Sequence, residues 1–260
     1  MLKTFYWSVR RETWENRWIF VVPSIGALLL VAALITRRIA WREWPVEGET
    51  LGHWCAIVAA ALSMLSIAVG LFYLTDALHG ERRDRSILFW KSMPVSDLVT
   101  VLAKAFIPLA VIPATTFVIV VATQLVMVVT GGEFPSELPR MTLELLLGLM
   151  LMALWQAPLQ AWVLLISGVA RRAVLAIAVL LPVAAGVLER LVFGTRYIST
   201  VLMDRLTLGV YDGGIGSNPH HLIAPSVVGL ATNPALWLGL PVAALLLAAS
   251  IYLRRYRQPL

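Results

Sequence analysis

The chain has 260 residues, 59% of them hydrophobic and 14% charged, whereas soluble domains are about 45–50% apolar and about 25% charged. With a mean hydropathy of +0.81, that composition excludes a soluble globular protein. The formal charge of +6 from 21 basic and 15 acidic residues is not a nucleic-acid footprint, because the basic residues sit between apolar segments, where they mark topology.

Residues 1–18 carry Lys3, Arg10, Arg11, Glu12, Glu15 and Arg17, too much charge for the apolar core of a signal peptide. Leu2, Phe5, Tyr6, Val9 and Thr13 follow helical spacing beside Trp7, Trp14 and Trp18. This pattern predicts an amphipathic helix lying in the headgroup plane. The first span is expected over about 19–36, with Pro23 in its first turn and Arg37 and Arg38 at its end. Trp41, Trp44 and Trp54 bracket a loop holding Glu43, Glu47 and Glu49, as at a membrane surface. The second span is expected over about 54–78, where Ala59, Ser63, Ser66 and Gly70 make a stripe of small residues that lets another helix approach closely.

Residues 98–130 are nearly uninterrupted, yet a straight helix of that length measures about 50 Å against a hydrocarbon core of about 30 Å. Pro108 and Pro113 offer kinks, so the first part, including Lys104, is expected to project from or lie along the membrane before the third span proper. The fourth span, about 141–169, contains Gln156, Pro158 and Gln160, and Arg171 and Arg172 form a short turn into the fifth, about 173–193. Residues 194–234 are Gly- and Pro-rich, with apolar pieces too short to cross a membrane. Ile198, Val201, Leu202 and Leu206 predict short helices, or a re-entrant cap, at the outer mouth. The last span covers about 235–253 and closes with Arg254, Arg255 and Arg257. The expectation is one all-α, polytopic membrane domain over 1–260 with six spans. With the N-terminus inside, 14 of the 21 basic residues fall on inner segments, which puts both termini in the cytoplasm.

Several chemistries are excluded. No Gly-Lys dipeptide occurs, so a Walker-type phosphate loop is absent. None of His53, His79, His220 and His221 stands in an H-E-x-x-H arrangement, there is no G-x-S-x-G elbow, and the single Cys55 rules out a disulfide or Cys-x-x-Cys site within the chain. No metal site is expected. Polar residues within the spans are mild; Thr123, Gln124, Gln156 and Gln160 are candidates to line a substrate path, the competing reading being hydrogen bonding between helices.

The most charged segment lies between spans two and three. Glu81, Arg82, Arg83, Asp84 and Arg85 precede Ile87, Leu88, Phe89 and Trp90, and Pro94 ends the run before Ser96, which can cap the next helix. An amphipathic helix of this kind can bury one face in a partner and leave the other wet.

The acidic residue just past the second span, the Ile87-Leu88 pair, Met93-Pro94-Val95-Ser96 and the following Lys104 resemble the cytoplasmic loop of ABC-2 type membrane subunits of ATP-binding-cassette transporters. The N-terminal amphipathic helix, the six spans and the long segment before the last span extend the likeness across the chain. The resemblance implies a non-enzymatic permease of the cytoplasmic membrane, acting in export. It also implies that residues 79–97 form a coupling loop docking on a separate ATPase, with Glu81, Arg82, Arg83, Asp84 and Arg85 supplying charge, and Leu88, Phe89, Trp90 and Pro94 contact area and shape. Two ATPase copies would hold ATP and Mg, and a second permease, identical or related, would complete the assembly. Two other readings stand beside it: an outer-face hydrolase or lipid-modifying enzyme built on Glu189, Arg190, His220 and His221, and a membrane anchor or sensor recruiting a partner through the same loop.

Overall fold

The computed structural model describes residues 2–41, 51–83, 95–131, 136, 138–207 and 227–256. All regular elements among them are helices: α1 (Leu2–Glu15), α2 (Trp18–Trp41), α3 (Leu51–Ala77), α4 (His79–Arg83), α5 (Asp97–Phe106), a π turn (Ile107–Val111), α6 (Ile112–Gly131), α7 (Leu138–Val169), α8 (Val174–Phe193), α9 (Tyr197–Leu206), α10 (Val227–Thr232) and α11 (Pro234–Tyr256). Six segments are long and apolar enough to cross a membrane: α2, α3 with α4, the run from α5 through α6, α7, α8 and α11. The six-span, all-α reading of the sequence therefore holds.

Helix α7 is the axis of the bundle. It packs against α11, α3 and α8, and over half of its most apolar window is buried, whereas α2 and α8 lie at the periphery. Peripheral α8 shows an outer face of Leu180, Leu188, Leu191 and Phe193, which is what a lipid-facing helix presents. It is joined to α7 by a tight reversal in which Ala173 takes a left-handed conformation, φ 51°, and the indole of Trp162 donates to the Ala178 carbonyl at 3.0 Å.

The stripe of small residues on α3 receives the third span. Ser63 and Ser66 are buried, the Thr116 hydroxyl donates to Ser66 Oγ at 2.6 Å, and Gly70 faces Pro108. The third span itself is helical from residue 97 onward. Its α ladder is interrupted at the π turn, with Pro108 near the start of that turn, while Pro113 sits in the first turn of α6 without breaking it. Proline has no N–H to give and its ring crowds the preceding turn, so the hydrogen-bond register shifts there.

The two short helices outside the bundle pack only part of the stripe their periodicity suggested and bury a charged residue beside it. In α1, Leu2 and Tyr6 are exposed, and the packed face is Phe5, Ser8, Val9 and Glu12, with Phe5 edge-on to Phe106 at 5.4 Å between ring centres. In α9, Ile198, Val201 and Leu206 are exposed and Arg205 is the buried residue. Each helix is docked by a charge.

A side chain at Gly70 would begin 3.3 Å from Pro108 Cβ and 3.5 Å from Ile112 Cδ1. Gly70→Ile is expected to push the third span off α3 and to cost about 1–3 kcal/mol. A lowered thermal midpoint in detergent checks this, with Gly148→Ile, where nothing lies within 4 Å, as the control.

Candidate functional site

At the end of the bundle that carries α1, α4, α5 and the C-terminal turn of α11, charged side chains meet, with Glu12, Lys104, Glu81 and Arg254 largely out of contact with water and Arg11 and Asp97 partly exposed. Ser96 starts the site: its hydroxyl accepts from the Val99 N–H at 3.3 Å, capping α5, and so places Asp97 in the first turn and Lys104 two turns on. Lys104 is 3% exposed and Glu12 is 1% exposed. Lys104 Nζ lies 2.8 Å from Glu12 Oε1 and 3.1 Å from Glu81 Oε1. The other oxygen of Glu81 accepts from Arg254 Nη1 at 2.7 Å, and Arg254 Nε reaches Asp97 Oδ1 at 3.0 Å. Arg11 Nη2 lies 3.0 Å from Glu12 Oε1, and the Tyr73 hydroxyl donates to Glu12 Oε2 at 3.0 Å.

Four carboxylates, Glu12, Glu15, Glu81 and Asp97, thus face three cations, Arg11, Lys104 and Arg254, and the four most deeply buried of these groups, Glu12, Glu81, Lys104 and Arg254, balance in charge. Such a set is held together by the cost of breaking it: a buried ion stripped of its partner is destabilising by about 3–5 kcal/mol. Burial by itself pushes the Glu12 carboxyl up, but Lys104 and then Arg11 pull it down further, so it titrates below its ordinary 4.5.

A second set of bonds fixes the join between α3 and α4 to the end of α7. The backbone N–H groups of Leu78 and His79 donate to Ser167 Oγ at 3.1 and 3.0 Å, and Ser167 donates to the Thr75 carbonyl at 3.0 Å. His79 Nδ1 lies 3.2 Å from the Ala170 carbonyl, and the Arg82 guanidinium donates to the Gly168 carbonyl. A hydroxyl accepting two N–H groups satisfies donors that the break after α3 would otherwise leave unpaired.

The candidate partner-binding residues divide accordingly. Glu81 and Arg82 are bound into this base, and Arg83 is exposed at the end of α4. Asp84, Arg85, Leu88, Phe89, Trp90 and Pro94 lie outside the described residues. Both segments flanking them, α4 and α5, are anchored in the same ion network.

The candidate path residues do not converge. Thr123 bonds its own helix at the Ile119 carbonyl, and Gln124 Nε2 reaches the Cys55 carbonyl at a long 3.5 Å. Gln156 Nε2 donates to the Arg205 carbonyl at 2.9 Å, while Gln160 lines an apolar cavity. The carbonyl oxygens of Gln124, Gln156 and Gln160 are buried without a hydrogen-bond partner.

At the opposite end, Arg205 docks α9. Its Nη1 donates to the Trp155 carbonyl at 2.6 Å, Nη2 donates to the Ala235 carbonyl, and the guanidinium stacks 4.4 Å from the centre of the Trp155 ring. A Cβ on Gly239 would collide with that guanidinium, so a side chain there would displace the end of Arg205. Glu189 is occupied in a cap: Oε1 accepts from Thr195 Oγ1 at 2.6 Å and the Tyr197 N–H at 2.7 Å, and Oε2 accepts from the Ile198 N–H at 2.8 Å. These bonds satisfy the N-terminal donors of α9. A catalytic carboxylate at Glu189 would have to surrender them; Arg190 is exposed, and His220 and His221 lie outside the described residues.

Lys104→Met is expected to destabilise the protein by about 3–5 kcal/mol, because it leaves Glu12 and Glu81 buried without their shared cation; chemical denaturation in detergent measures it. The pH dependence follows in sign. A carboxyl with a depressed native pKa contributes stability that is present above its ordinary 4.5 and is lost as the pH falls through the lower native value. Stability is therefore expected to drop below about pH 4.5, and Glu12→Gln to flatten that part of the profile. Thermal unfolding as a function of pH reads both.

Compared with known proteins, the chain matches no family model, no curated protein and no solved structure.

Proposed function

We propose that this chain is the membrane-spanning permease subunit of an ABC-2 type exporter in the cytoplasmic membrane, driven by a separate ATPase that docks on residues 79–97. The observation that carries the reading is the ion network at the base. Glu81 leads into the loop and Asp97 follows it, and both are held by Arg254, while Lys104 joins Glu81 to Glu12. A push on the loop therefore reaches α1, α3, the third span and α11 together, as a lever needs. The π turn at Ile107–Val111 offers the place where the third span bends between that rigid base and the bundle above it. Arg171, Arg172 and Arg255 are exposed at the same end as Arg83, which fits a cytoplasmic base by the positive-inside rule.

In this reading the chain performs no chemistry. ATP and Mg belong to two copies of the partner, and a second permease, identical or related, supplies the other half of the path. Arg82, Arg83, Asp84 and Arg85 give the contact its charge and register, and Leu88, Phe89 and Trp90 its buried area, with Pro94 ending the segment.

Affinity purification from the native membrane is expected to recover a stoichiometric ATPase subunit, lost when Leu88, Phe89 and Trp90 are all changed to Asp. Retention of the partner by that variant, or recovery of the folded chain with no ATPase, overturns the reading and promotes the anchor or sensor. Trp90→Ala is expected to leave the spans folded and to uncouple hydrolysis from transport. Arg254→Lys cannot fork to Glu81 and Asp97 together; it is expected to keep the ATPase bound while reducing its stimulation by the permease.

A further inference from the structure

The face that α1 turns away from the bundle carries a pattern of its own. Lys3, Trp7, Arg10 and Trp14 follow one another at spacings of four, three and four, and Arg17 continues the series in the turn that leads into α2. At about 100° per residue this stripe lies roughly opposite the face of Phe5, Ser8, Val9 and Glu12 that packs on the bundle. All five of its residues are exposed, Trp7 to 57% and Trp14 to 61%.

The cations of the stripe are not neutralised by the protein. Arg11 pairs with Glu12 and Glu15, but Lys3, Arg10 and Arg17 have no carboxylate within ion-pair distance among the described residues. Arg10 is held by rings instead: its Cζ lies 5.0 Å from the centre of the Trp7 ring, a turn before it, and 5.3 Å from that of Trp14, a turn after it. Arg17 Cζ lies 5.9 Å from the same Trp14 ring. An indole face takes up the flat side of a guanidinium and leaves the N–H groups along its edge free, in the spacing that fits two oxygens of one phosphate or carboxylate.

The supports of α1 decide which anion meets that edge. Helix α1 ends at Glu15 and α2, the first span, begins at Trp18, so the stripe stands at the level where a span enters the membrane. Val21 and Ile25 of α2 and Leu102 and Phe106 of α5, the helix on which α1 packs, are exposed and apolar, as groups surrounded by acyl chains are. Exposed indoles beside cations suit the boundary between such chains and water.

We infer that the outer stripe of α1 binds the headgroup phosphate of anionic phospholipids, with Arg10 and Arg17 donating to its oxygens and Trp7 and Trp14 seated at the boundary of the acyl chains. A zwitterionic headgroup brings its own cation to the site and so gains less from the arginines. The sequence suggested only a helix among headgroups; the geometry adds the face that meets them and the charge it selects. Glu12 on the opposite face is paired with Lys104, so a headgroup bound outside also steadies the ionic base. The inference holds whether or not an ATPase docks.

The test uses the full chain in lipid nanodiscs and a photoactivatable phosphatidylglycerol, reading its labelling of residues 2–18 as unlabelled phosphatidylglycerol or phosphatidylcholine is added. Phosphatidylglycerol is expected to be the stronger competitor, and its advantage to shrink in about 1 M salt, where the Debye length is about 3 Å. Arg10→Gln and Arg17→Gln are each expected to lower that advantage by roughly three- to sixfold, and Arg140→Gln, a cation at the other end of the bundle, to leave it unchanged. Equal competition by the two lipids on the unaltered protein, an advantage that survives in the double variant, or no labelling within 2–18 overturns the proposal. A double variant that loses a recovered ATPase while keeping the lipid advantage also overturns it, and assigns the stripe to an acidic protein surface. Should the variants fail to fold, the competition and its salt dependence on the unaltered protein decide.

Discussion

Four charged groups, Glu12, Glu81, Lys104 and Arg254, two of each sign, are withdrawn from water at one end of a bundle otherwise built from apolar side chains, with Arg11, Glu15 and Asp97 at the partly exposed rim. Apolar contacts fix a distance between helices but tolerate sliding, since one methyl group serves nearly as well as its neighbour. An ion pair out of reach of water does not tolerate it, because each carboxylate left without its cation bears the whole desolvation cost. Glu81 is the centre of the arrangement, with one oxygen on Lys104 and the other on Arg254. The placing of α1, α4, α5 and the end of α11 follows from that geometry.

The spans were legible in the sequence because each is a continuous apolar window bounded by arginine pairs, proline or glycine. The break in the third span was legible as a problem of length, and the structure chooses Pro108 over Pro113. The docking of α1 and α9 was not legible. Helical periodicity pointed to Leu2, Phe5, Tyr6, Val9 and Thr13 in α1, of which Phe5 and Val9 are packed while Leu2 and Tyr6 are exposed, and to Ile198, Val201, Leu202 and Leu206 in α9, all exposed but Leu202. The residues that dock these helices are Glu12, whose partner Lys104 lies 92 positions along the chain, and Arg205, whose acceptors lie 50 and 30 positions away. No local pattern encodes such pairs. Lys104 was placed in a part of the third span that projects from or lies along the membrane, a reading that leaves its buried pairing with Glu12 and Glu81 unforeseen. The glutamines stood out, but only the structure shows that Gln156 meets α9 while Gln160 meets a cavity.

The two ends of the bundle solve the same problem by different means. At the base, charge is cancelled by charge. At the other end Arg205 has backbone carbonyls and an indole face instead, an arrangement open to arginine because its planar fork reaches two acceptors at once. That choice places the guanidinium where a side chain at Gly239 would stand, so the room for it comes from a residue that has none.

Arg254 sits near the end of the last span, and that position has a consequence for biogenesis. Chains are made from the N-terminus, so Glu12, Glu81, Asp97 and Lys104 are all in place before Arg254 leaves the ribosome. Until it arrives, the carboxylates of the base outnumber its cations, and Glu81 and Asp97 are short of their shared partner. Burying them at that stage is costly, so the base stays wet and loosely packed through most of synthesis. Insertion of the sixth span is then what closes it, and a chain interrupted before residue 254 is marked as unfinished by exposed charge at the place where a complete chain is dry.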